Sequence, residues 1–277
     1  MRNASPLRYP GGKWRIAPYF ERLIKINNLK DTLYVEPYAG GASLALSLLF
    51  QDHVQRVHLN DLDSAIYSFW YSVIHDNQEF RERISTVTVT PEEWAAQRAI
   101  YAKGIDAGRF ALGFATFFLN RTNHSGILNG GMIGGKDQSG AWLLDARFNR
   151  QELVRRVQKI GTFRDRIELS GLDAAELLKK KRFRRNTIVY LDPPYYTAGK
   201  QLYLNSYRQQ DHNAVRDIVN SLDYPWVVSY DDVPPIRQIY HGIRSRKLEL
   251  LHTARSARIG REVLFFSSDL RIPRITR

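Results

Sequence analysis

The segment with the most specific chemistry is Leu191-Asp-Pro-Pro-Tyr195, which follows an apolar run typical of a buried strand. Two successive prolines cannot continue a central strand, so we expect a rigid turn at the strand's carboxyl end. Such a turn would present the Asp192 carboxylate, the Pro193 carbonyl and the Tyr195 ring together. Two acceptors draw an exocyclic amine towards a nucleophilic geometry, and an aromatic ring stacks on a flat base. The alternative is a plain loop with a capping aspartate.

A second segment, Glu36-Pro-Tyr-Ala-Gly-Gly-Ala-Ser43, follows a short strand predicted at Leu33–Glu36. Ligands of open α/β sheets bind outside the carboxyl ends of the strands, and glycines there let the backbone approach a cofactor. The spacing is not G-x-G-x-x-G, so a dinucleotide site is poorly supported. Asp61 ends the next predicted strand, where a carboxylate can accept hydrogen bonds from the ribose hydroxyls of an adenosine. A structural glycine turn, with Asp61 as a helix N-cap, is the alternative.

A parallel sheet is needed to bring these segments together, and the remaining pattern predicts one. Further strands are predicted at Val54–Leu59, Ile167–Leu169, Thr187–Leu191, Trp226–Ser229 and Val263–Phe266. Helical patterns cover residues 43–50 and run from about 170 to 181, and within residues 65–150 they cover Ala65–His75, Pro91–Lys103 and Phe110–Phe118. Residues 120–142 are rich in glycine and turns. The order predicts a mostly parallel, Rossmann-like α/β sheet flanked by helices, with a helical insert that contains a hairpin or long loop.

Charge indicates the class of partner. Lys plus Arg number 41 against 28 acidic residues, a formal net charge of +13. Basic residues concentrate in the run Lys179–Arg185 and again from Arg244 to the last residue. Neither stretch has the apolar stripe of a helix that lies on a membrane surface, so nucleic acid is the favoured polyanion. The plainer alternative is a protein that is simply basic.

Several function classes are excluded by residues that the sequence lacks. There is no cysteine, which excludes disulfides, thiolate nucleophiles and Cys-ligated zinc. Covalent attack on a ring carbon of a base would also need a cysteine nucleophile, so an exocyclic amine is the group left to react. No H-x-x-x-H pair marks a metal site, and the beginning of the chain lacks the apolar stretch of a signal peptide. We therefore expect a cytoplasmic protein without a metal.

Together these motifs resemble the Dam-like (D12) class of DNA adenine N6-methyltransferases over most of the chain. The similar segments are Arg8–Lys13, Glu36–Gly41, Asn60-Asp61, Gly171–Asp173, Asp192–Tyr195 and Arg261–Leu264. Family members often carry glycine where Ala42 stands and phenylalanine where Tyr38 stands. Both departures are mild, because alanine is small and tyrosine keeps the aromatic ring.

The resemblance implies S-adenosylmethionine as cofactor and direct methyl transfer to the N6 amine of an adenine flipped out of double-stranded DNA. Cofactor binding is implied for Tyr9, Lys13, Glu36, Pro37, Tyr38, Gly40, Asp61 and Asp173, and catalysis for Asp192, Pro193 and Tyr195. The N4 amine of cytosine and adenine in RNA suit the same acceptor geometry and remain alternatives, as does a non-catalytic DNA-binding relative. The family also leaves open a prokaryotic or phage origin, an association with the nucleoid and a restriction endonuclease that acts on the same site.

The insert is the expected reader of DNA sequence. The resemblance implies a catalytic domain of residues 1–64 and 154–277 and a target-recognition domain of residues 65–153. Amides and arginine read base edges in the major groove, which indicates Asn120, Arg121 and Asn123. Lys136 and Arg147 are expected to contact phosphates. An ordinary polar glycine loop is the alternative.

Overall fold

The computed structural model describes residues 4–8, 13–180, 183, 186–197, 207–252 and 258–274. Its centre is a seven-stranded sheet in the order β3-β2-β1-β4-β5-β7-β6. The strands are β1 Leu33–Glu36, β2 Arg56–Asn60, β3 Ile167–Ser170, β4 Thr187–Leu191, β5 Trp226–Asp231, β6 Ser245–His252 and β7 Arg258–Phe266. The first five strands in chain order pair in parallel, whereas β7 is antiparallel to both β5 and β6.

The site is positioned by the order of the strands. Strand β1 lies between β2 and β4, since Leu33 is in register with both Arg56 and Thr187. The chain leaves β1 towards β2 on one side and later returns to β4 on the other side. This reversal is the switch point at which open α/β sheets bind ligands, next to the carboxyl ends of the strands. It brings the segments after Glu36 and Leu191 side by side.

Helices cover the sheet and build the insert. They are α1 Ala17–Ile26, α2 Ser43–Phe50, α3 Ser64–His75, α4 Asn77–Thr86, α5 Pro91–Lys103, α6 Arg109–Thr122, α7 Arg150–Thr162, α8 Ala174–Lys180, α9 Gln209–Asn220 and α10 Pro234–Ile239. Local sequence explains where some of them begin. Helix α5 has proline at its first position, and the Thr90 hydroxyl accepts the Glu93 N–H at 3.2 Å. None of the described helices is long and apolar enough to cross a membrane.

The insert and the sheet share one hydrophobic core. Phe69 of α3 and Phe117 of α6 stack with ring centroids 6.2 Å apart, and both belong to the same buried cluster as Phe20 of α1 and Leu44 of α2. Helices α3 and α6 approach so closely that a Cβ on Gly113 would lie 2.5 Å from the Ser68 carbonyl oxygen. A second buried cluster, centred on Val189 and Val228, covers the other face of the sheet.

The structure confirms the predicted fold class and most of the predicted elements. Strands β1 and β4 and helices α2 and α5 have the predicted bounds. The edge strand β6 and helices α1, α4, α7, α9 and α10 were not predicted. Strand β6 was missed because Ser245-Arg-Lys-Leu-Glu lacks the apolar run of a central strand. In the glycine-rich part of the insert, the predicted hairpin takes the form of a loop with a single antiparallel bridge between Asn123 and Met132.

Candidate active site

The loop after β1 forms one wall of a large cavity. Gly40 and Ala42 both have φ of +45°, a left-handed conformation that turns the chain sharply into α2. The indole N–H of Trp70 donates to the Gly40 carbonyl at 2.8 Å, and the Ala39 N–H donates to the Asn60 carbonyl at 2.9 Å. The loop is therefore fixed by the insert on one side and by β2 on the other.

Asp61 is bound to this loop and is not a helix cap. Its two carboxylate oxygens accept the backbone N–H groups of Gly40 at 2.8 Å and Asp63 at 3.0 Å. Asp63 caps α3 instead, because its carboxylate accepts the Ala65 N–H at 2.8 Å. Burial raises the pKa of Asp61 to about 7, against the lowering effect of the two backbone hydrogen bonds. The N-cap alternative for Asp61 is wrong.

Glu36 is the most enclosed acid of the cavity. Its side chain is 4% exposed, and Oε1 accepts the Tyr34 hydroxyl at 3.0 Å and the Ala45 N–H at 3.1 Å. Burial raises the pKa of Glu36 to about 8. The cavity therefore contains two carboxyl groups, Glu36 and Asp61, that titrate near neutral pH.

Asn60 connects the loop after β1 with the segment Gly171–Asp173. Its buried amide donates to the carbonyls of Pro37 and Leu172, both at 2.9 Å, and its amide oxygen accepts the Leu172 N–H at 2.9 Å. Asp173 follows directly and caps α8 by accepting the Ala175 N–H at 2.9 Å. Sequence reasoning took Asn60 only as the neighbour of Asp61, yet Asn60 sets the spacing between the two loops.

Nearly all the predicted cofactor residues line the same cavity as Asp192. Those that line it are Lys13, Glu36, Pro37, Tyr38, Gly40, Asp61 and Asp173, together with Asp192 and Pro194. Tyr207 also lines it, and its hydroxyl lies 3.0 Å from that of Tyr38. Tyr9 lies outside the described residues. The cavity therefore joins the β1 and β2 ends to the Asp-Pro-Pro-Tyr turn.

Asp192 is the centre of a compact polar cluster. The Lys13 ammonium lies 2.8 Å from Asp192 Oδ2, and the Ser229 hydroxyl donates to Oδ1 at 2.6 Å. The Lys13 ammonium also donates to the Tyr195 hydroxyl at 2.7 Å. Lys13 is only 5% exposed, so this arrangement is an interior one. Lys13 thus belongs to the Asp192 cluster as well as to the cofactor cavity.

Glu262 completes this cluster and was not predicted. The Tyr195 hydroxyl donates to Glu262 Oε1 at 2.5 Å, and the Lys13 ammonium lies 3.6 Å from the same oxygen. Glu262 is 1% exposed and lies on β7, opposite Asp231 of β5. The available signal was an acid directly before the apolar run Val263–Phe266, since a charge at a buried strand needs a partner.

The turn itself is held by backbone contacts. The Asp231 carboxylate accepts the N–H groups of Tyr196 and Thr197, both at 3.0 Å. Pro193 is buried, and the ring that borders the cavity belongs to Pro194. Burial, followed by the charges of Asp192 and Glu262, raises the pKa of Tyr195 well above its usual value. Its hydroxyl is therefore a neutral donor near pH 7.

The three predicted base readers are buried. Asn120, Arg121 and Asn123 are 2%, 8% and 0% exposed. Asn120 accepts the Arg8 N–H at 2.7 Å and donates to the Arg8 carbonyl at 2.9 Å. Arg121 donates to the Pro6 carbonyl at 2.7 Å, and Asn123 accepts the Trp94 indole N–H at 2.7 Å. Because these groups are committed to internal partners, the burial conflicts with the expectation that they read base edges.

A second cavity lies beside this internal network. The charged and aromatic residues in its lining are Arg8, His124, Trp142 and Arg147, and its described lining includes no Asp or Glu. The Arg147 guanidinium lies 5.3 Å from the Trp142 ring centroid, and Trp142 is 64% exposed. Burial, together with the charge of Arg147, lowers the pKa of Arg8. Lys136 is exposed on the adjoining loop.

The parallel sheet, the fixed glycine loop and the carboxylate at the end of β2 are typical of the Rossmann-like class, to which methyltransferases of this kind belong. The model of the D12 class N6 adenine-specific DNA methyltransferases matches residues 9–254. This chain belongs to that family.

Comparison with solved structures gives weaker similarities. A candidate methylase of Haemophilus influenzae is 11% identical with a TM-score of 0.38, covering 91% of this chain and 94% of that one. A Streptococcus pyogenes protein is 10% identical with a TM-score of 0.35, and the match covers 87% of this chain and 89% of that one. A candidate methyltransferase complexed with S-adenosylhomocysteine is 12% identical with a TM-score of 0.33, and the match covers 94% of this chain and 54% of that one. A search of curated proteins found no match. The family match therefore carries the assignment.

Proposed function

We propose that this protein transfers a methyl group from S-adenosylmethionine to the N6 amine of an adenine flipped out of double-stranded DNA. The observation that supports this most directly is the single cavity that joins Asp61 and the Gly40 loop to Asp192. A cofactor held at one end of it would lie beside a base held at the other. Family membership supports adenine as the base and DNA as the substrate.

The residues of the cavity fit this cofactor. Asp61 is held by two backbone N–H groups, and a carboxylate offers roughly four acceptor positions, so about two are left for the ribose hydroxyls. Asp173 uses one oxygen to cap α8, which leaves the other for a polar edge of the adenine ring. Glu36, Pro37 and the Tyr38 ring form the remaining wall, and Lys13 closes the end towards Asp192. Bound there, S-adenosylmethionine would supply an electrophilic methyl group, with S-adenosylhomocysteine and one proton from the amine as the other products.

Asp192 is the proposed acceptor for the adenine amine. An amine whose hydrogens are held by the Asp192 carboxylate and the Pro193 carbonyl loses conjugation with its ring and becomes a better nucleophile. Ser229 fixes the carboxylate from the side of β5. The Tyr195 ring is the proposed stacking surface for the flipped base.

The second cavity is the proposed contact with the DNA backbone. Arg8 and Arg147 place two positive charges beside an exposed tryptophan, and its described lining offers them no acid. A phosphate group would supply the missing negative charge. Exposed Lys136 is a third proposed phosphate contact. This assignment supports a recognition role for residues 65–153, with residues 1–64 and 154–277 as the catalytic domain.

The test is methyl transfer with purified protein and tritiated S-adenosylmethionine. Unmethylated double-stranded DNA and an RNA of the same sequence are the two substrates, and the products are digested to nucleosides for mass spectrometry. The proposal predicts N6-methyladenine from DNA. Predominant N4-methylcytosine, methylation of the RNA alone, or no transfer from a protein that binds the cofactor would overturn it. Asp192→Asn, which keeps the shape of the side chain, is the matched inactive control.

A further inference from the structure

The Asp192 carboxylate is already engaged before any substrate is present. Lys13 lies 2.8 Å from one oxygen and the Ser229 hydroxyl lies 2.6 Å from the other. An ammonium is a stronger hydrogen-bond donor towards a carboxylate than a neutral base amine is. Two donors still leave acceptor positions on this carboxylate, but the paired ammonium neutralises its charge and so makes it a weaker acceptor for the amine that the proposed function assigns to it.

The Glu262 carboxylate is a second acid close to the Lys13 ammonium. Glu262 Oε1 lies 3.6 Å from Lys13 Nζ, and the Tyr195 hydroxyl connects the two by accepting from Lys13 at 2.7 Å and donating to Glu262 at 2.5 Å. Only a short movement of the flexible lysine chain separates the two ion pairs. Because Lys13 is buried, its charge needs a carboxylate partner in either position.

We propose that Glu262 is a positioning residue that takes over the Lys13 ammonium and so frees Asp192 for the substrate amine. This inference rests on the proposed function, and it adds a residue and a movement to it. The bound cofactor would favour the movement, since its sulfonium charge in the cavity that Lys13 lines repels the ammonium. Glu262 therefore acts through Lys13 and need not touch the substrate.

The pairing of β7 with β5 fixes the position of Glu262 in the sheet. Because β7 runs antiparallel to β5, Glu262 lies opposite Asp231 at the carboxyl edge, where the Asp-Pro-Pro-Tyr turn is also held. The neighbouring residues Val263 and Leu264 are fully buried. The backbone at Glu262 is thus fixed by the sheet, and the side chain of Lys13 is the partner that can move.

The kinetic test is a double-mutant cycle on Lys13 and Glu262. Single-turnover methylation is measured at saturating cofactor and DNA for the wild type, Glu262→Gln, Lys13→Met and the double variant. Glutamine keeps the acceptor for Tyr195 but removes the charge. We expect Glu262→Gln to slow methyl transfer tenfold or more while the cofactor Kd changes less than threefold. In the Lys13→Met background, the same substitution should change the rate less than twofold.

The matched control is Asp232→Asn. Asp232 is a nearly buried carboxylate beside the same part of the sheet, with ion pairs to Arg237 at 2.6 Å and Lys247 at 3.4 Å. The Asp232→Asn variant should have a single-turnover methylation rate within twofold of the wild type. A loss like that of Glu262→Gln in this control, an equal loss from Glu262→Gln in both Lys13 backgrounds, or a wild-type rate in Glu262→Gln would each overturn the inference.

A structural test does not depend on turnover or on the folding of variants. Crystals of the wild type with sinefungin, which carries an amine in place of the methyl-sulfonium group, should show the Lys13 ammonium within about 3.2 Å of Glu262 and beyond hydrogen-bond distance of Asp192. An ammonium that stays on Asp192 would overturn the inference. Failure of the wild type to methylate adenine in DNA would instead count against the proposed function.

Discussion

At the scale of single residues, the site consists of carboxylates whose surroundings give them different tasks. Asp192 is paired with an ammonium and a hydroxyl, whereas Asp61 is held only by backbone N–H groups among the described residues. Burial raises the pKa of Asp61 to about 7, so this carboxylate takes up a proton more readily than an exposed aspartate does. The two acids should therefore respond differently to mutation and to pH.

Asp192→Ala should lower the single-turnover rate by two or more orders of magnitude, because it removes the acceptor that activates the amine. Cofactor affinity should change far less, since the hydrogen bonds that hold Asp61 come from Gly40 and Asp63 and do not involve Asp192. Quenched-flow methylation and calorimetry measure the two quantities. A variant that keeps more than about a tenth of the wild-type rate would refute the role of Asp192.

Asp61→Ala should weaken S-adenosylmethionine binding by about 1.5–3 kcal/mol, the range for hydrogen bonds to a charged group. Isothermal calorimetry at pH 8 is the measurement, with Asp63→Ala as the control because Asp63 caps α3 and leaves both Asp61 contacts possible. Equal losses of cofactor affinity in the two variants would mean that the stability of α3, and not a contact between Asp61 and the ribose, determines the affinity.

The raised pKa of Asp61 adds a dependence on pH. With a pKa of about 7, the side chain is largely protonated at pH 6 and ionised at pH 8. Ribose hydroxyls bind the ionised form better, so cofactor binding should release a proton near pH 6.5 and tighten as pH rises from 6 to 8. Asp61→Ala should flatten this trend. A wild-type affinity that is constant over the window would contradict it.

At this scale the sequence predicted the acids of the parallel strand ends but not their neighbours. Asp61 and Asp192 follow apolar runs whose ends must meet at one edge of the sheet, so their positions can be inferred from spacing. Glu262 lies on β7, an antiparallel strand between β5 and the edge strand β6. The local sequence does not indicate which residues the Glu262 side chain contacts. Asn120 and Asn123 have the composition of a polar loop, and only tertiary packing shows that they are buried.

At the scale of elements, helix α6 joins the segment around Arg8 to the loop of residues 124–147. The Asn120 amide bonds both backbone groups of Arg8 and donates to the Gly126 carbonyl at 2.8 Å. Gly126 has φ of +75°, and a Cβ there would lie 2.4 Å from the Arg8 carbonyl oxygen. The segment around Arg8 and the loop after α6 are therefore held together.

Asn120→Ala should lower the free energy of unfolding by about 1–3 kcal/mol for each buried backbone group left without a partner. Urea unfolding followed by circular dichroism measures this loss. Lys136→Ala is the control, because Lys136 is exposed and should leave stability unchanged. A stability equal to that of the wild type in Asn120→Ala would mean that water replaces the lost amide and that Asn120 could serve another purpose.

At the scale of the whole molecule, the formal net charge of +13 predicts binding to a polyanion such as DNA. Several basic residues should contact phosphates, so log K for DNA should fall linearly with log salt, by about 0.9 for each contact. Lys136→Ala should reduce this slope by about one contact and weaken binding to all sequences alike. Fluorescence anisotropy between about 50 and 200 mM salt measures both. A flat salt dependence would contradict the phosphate contacts.

The hydrophobic core that the insert shares with the sheet restricts how target preference could be changed. Since Phe69 and Phe117 stack within the cluster that also contains Leu44, transplanting residues 65–153 from a relative would leave mismatched aromatic surfaces on both sides of the graft. The loop of residues 124–147 carries most of the exposed side chains near the second cavity and can vary with less effect on this packing. Under the recognition role proposed for this insert, new specificities should therefore arise at the exposed positions of that loop, with buried Gly126 kept.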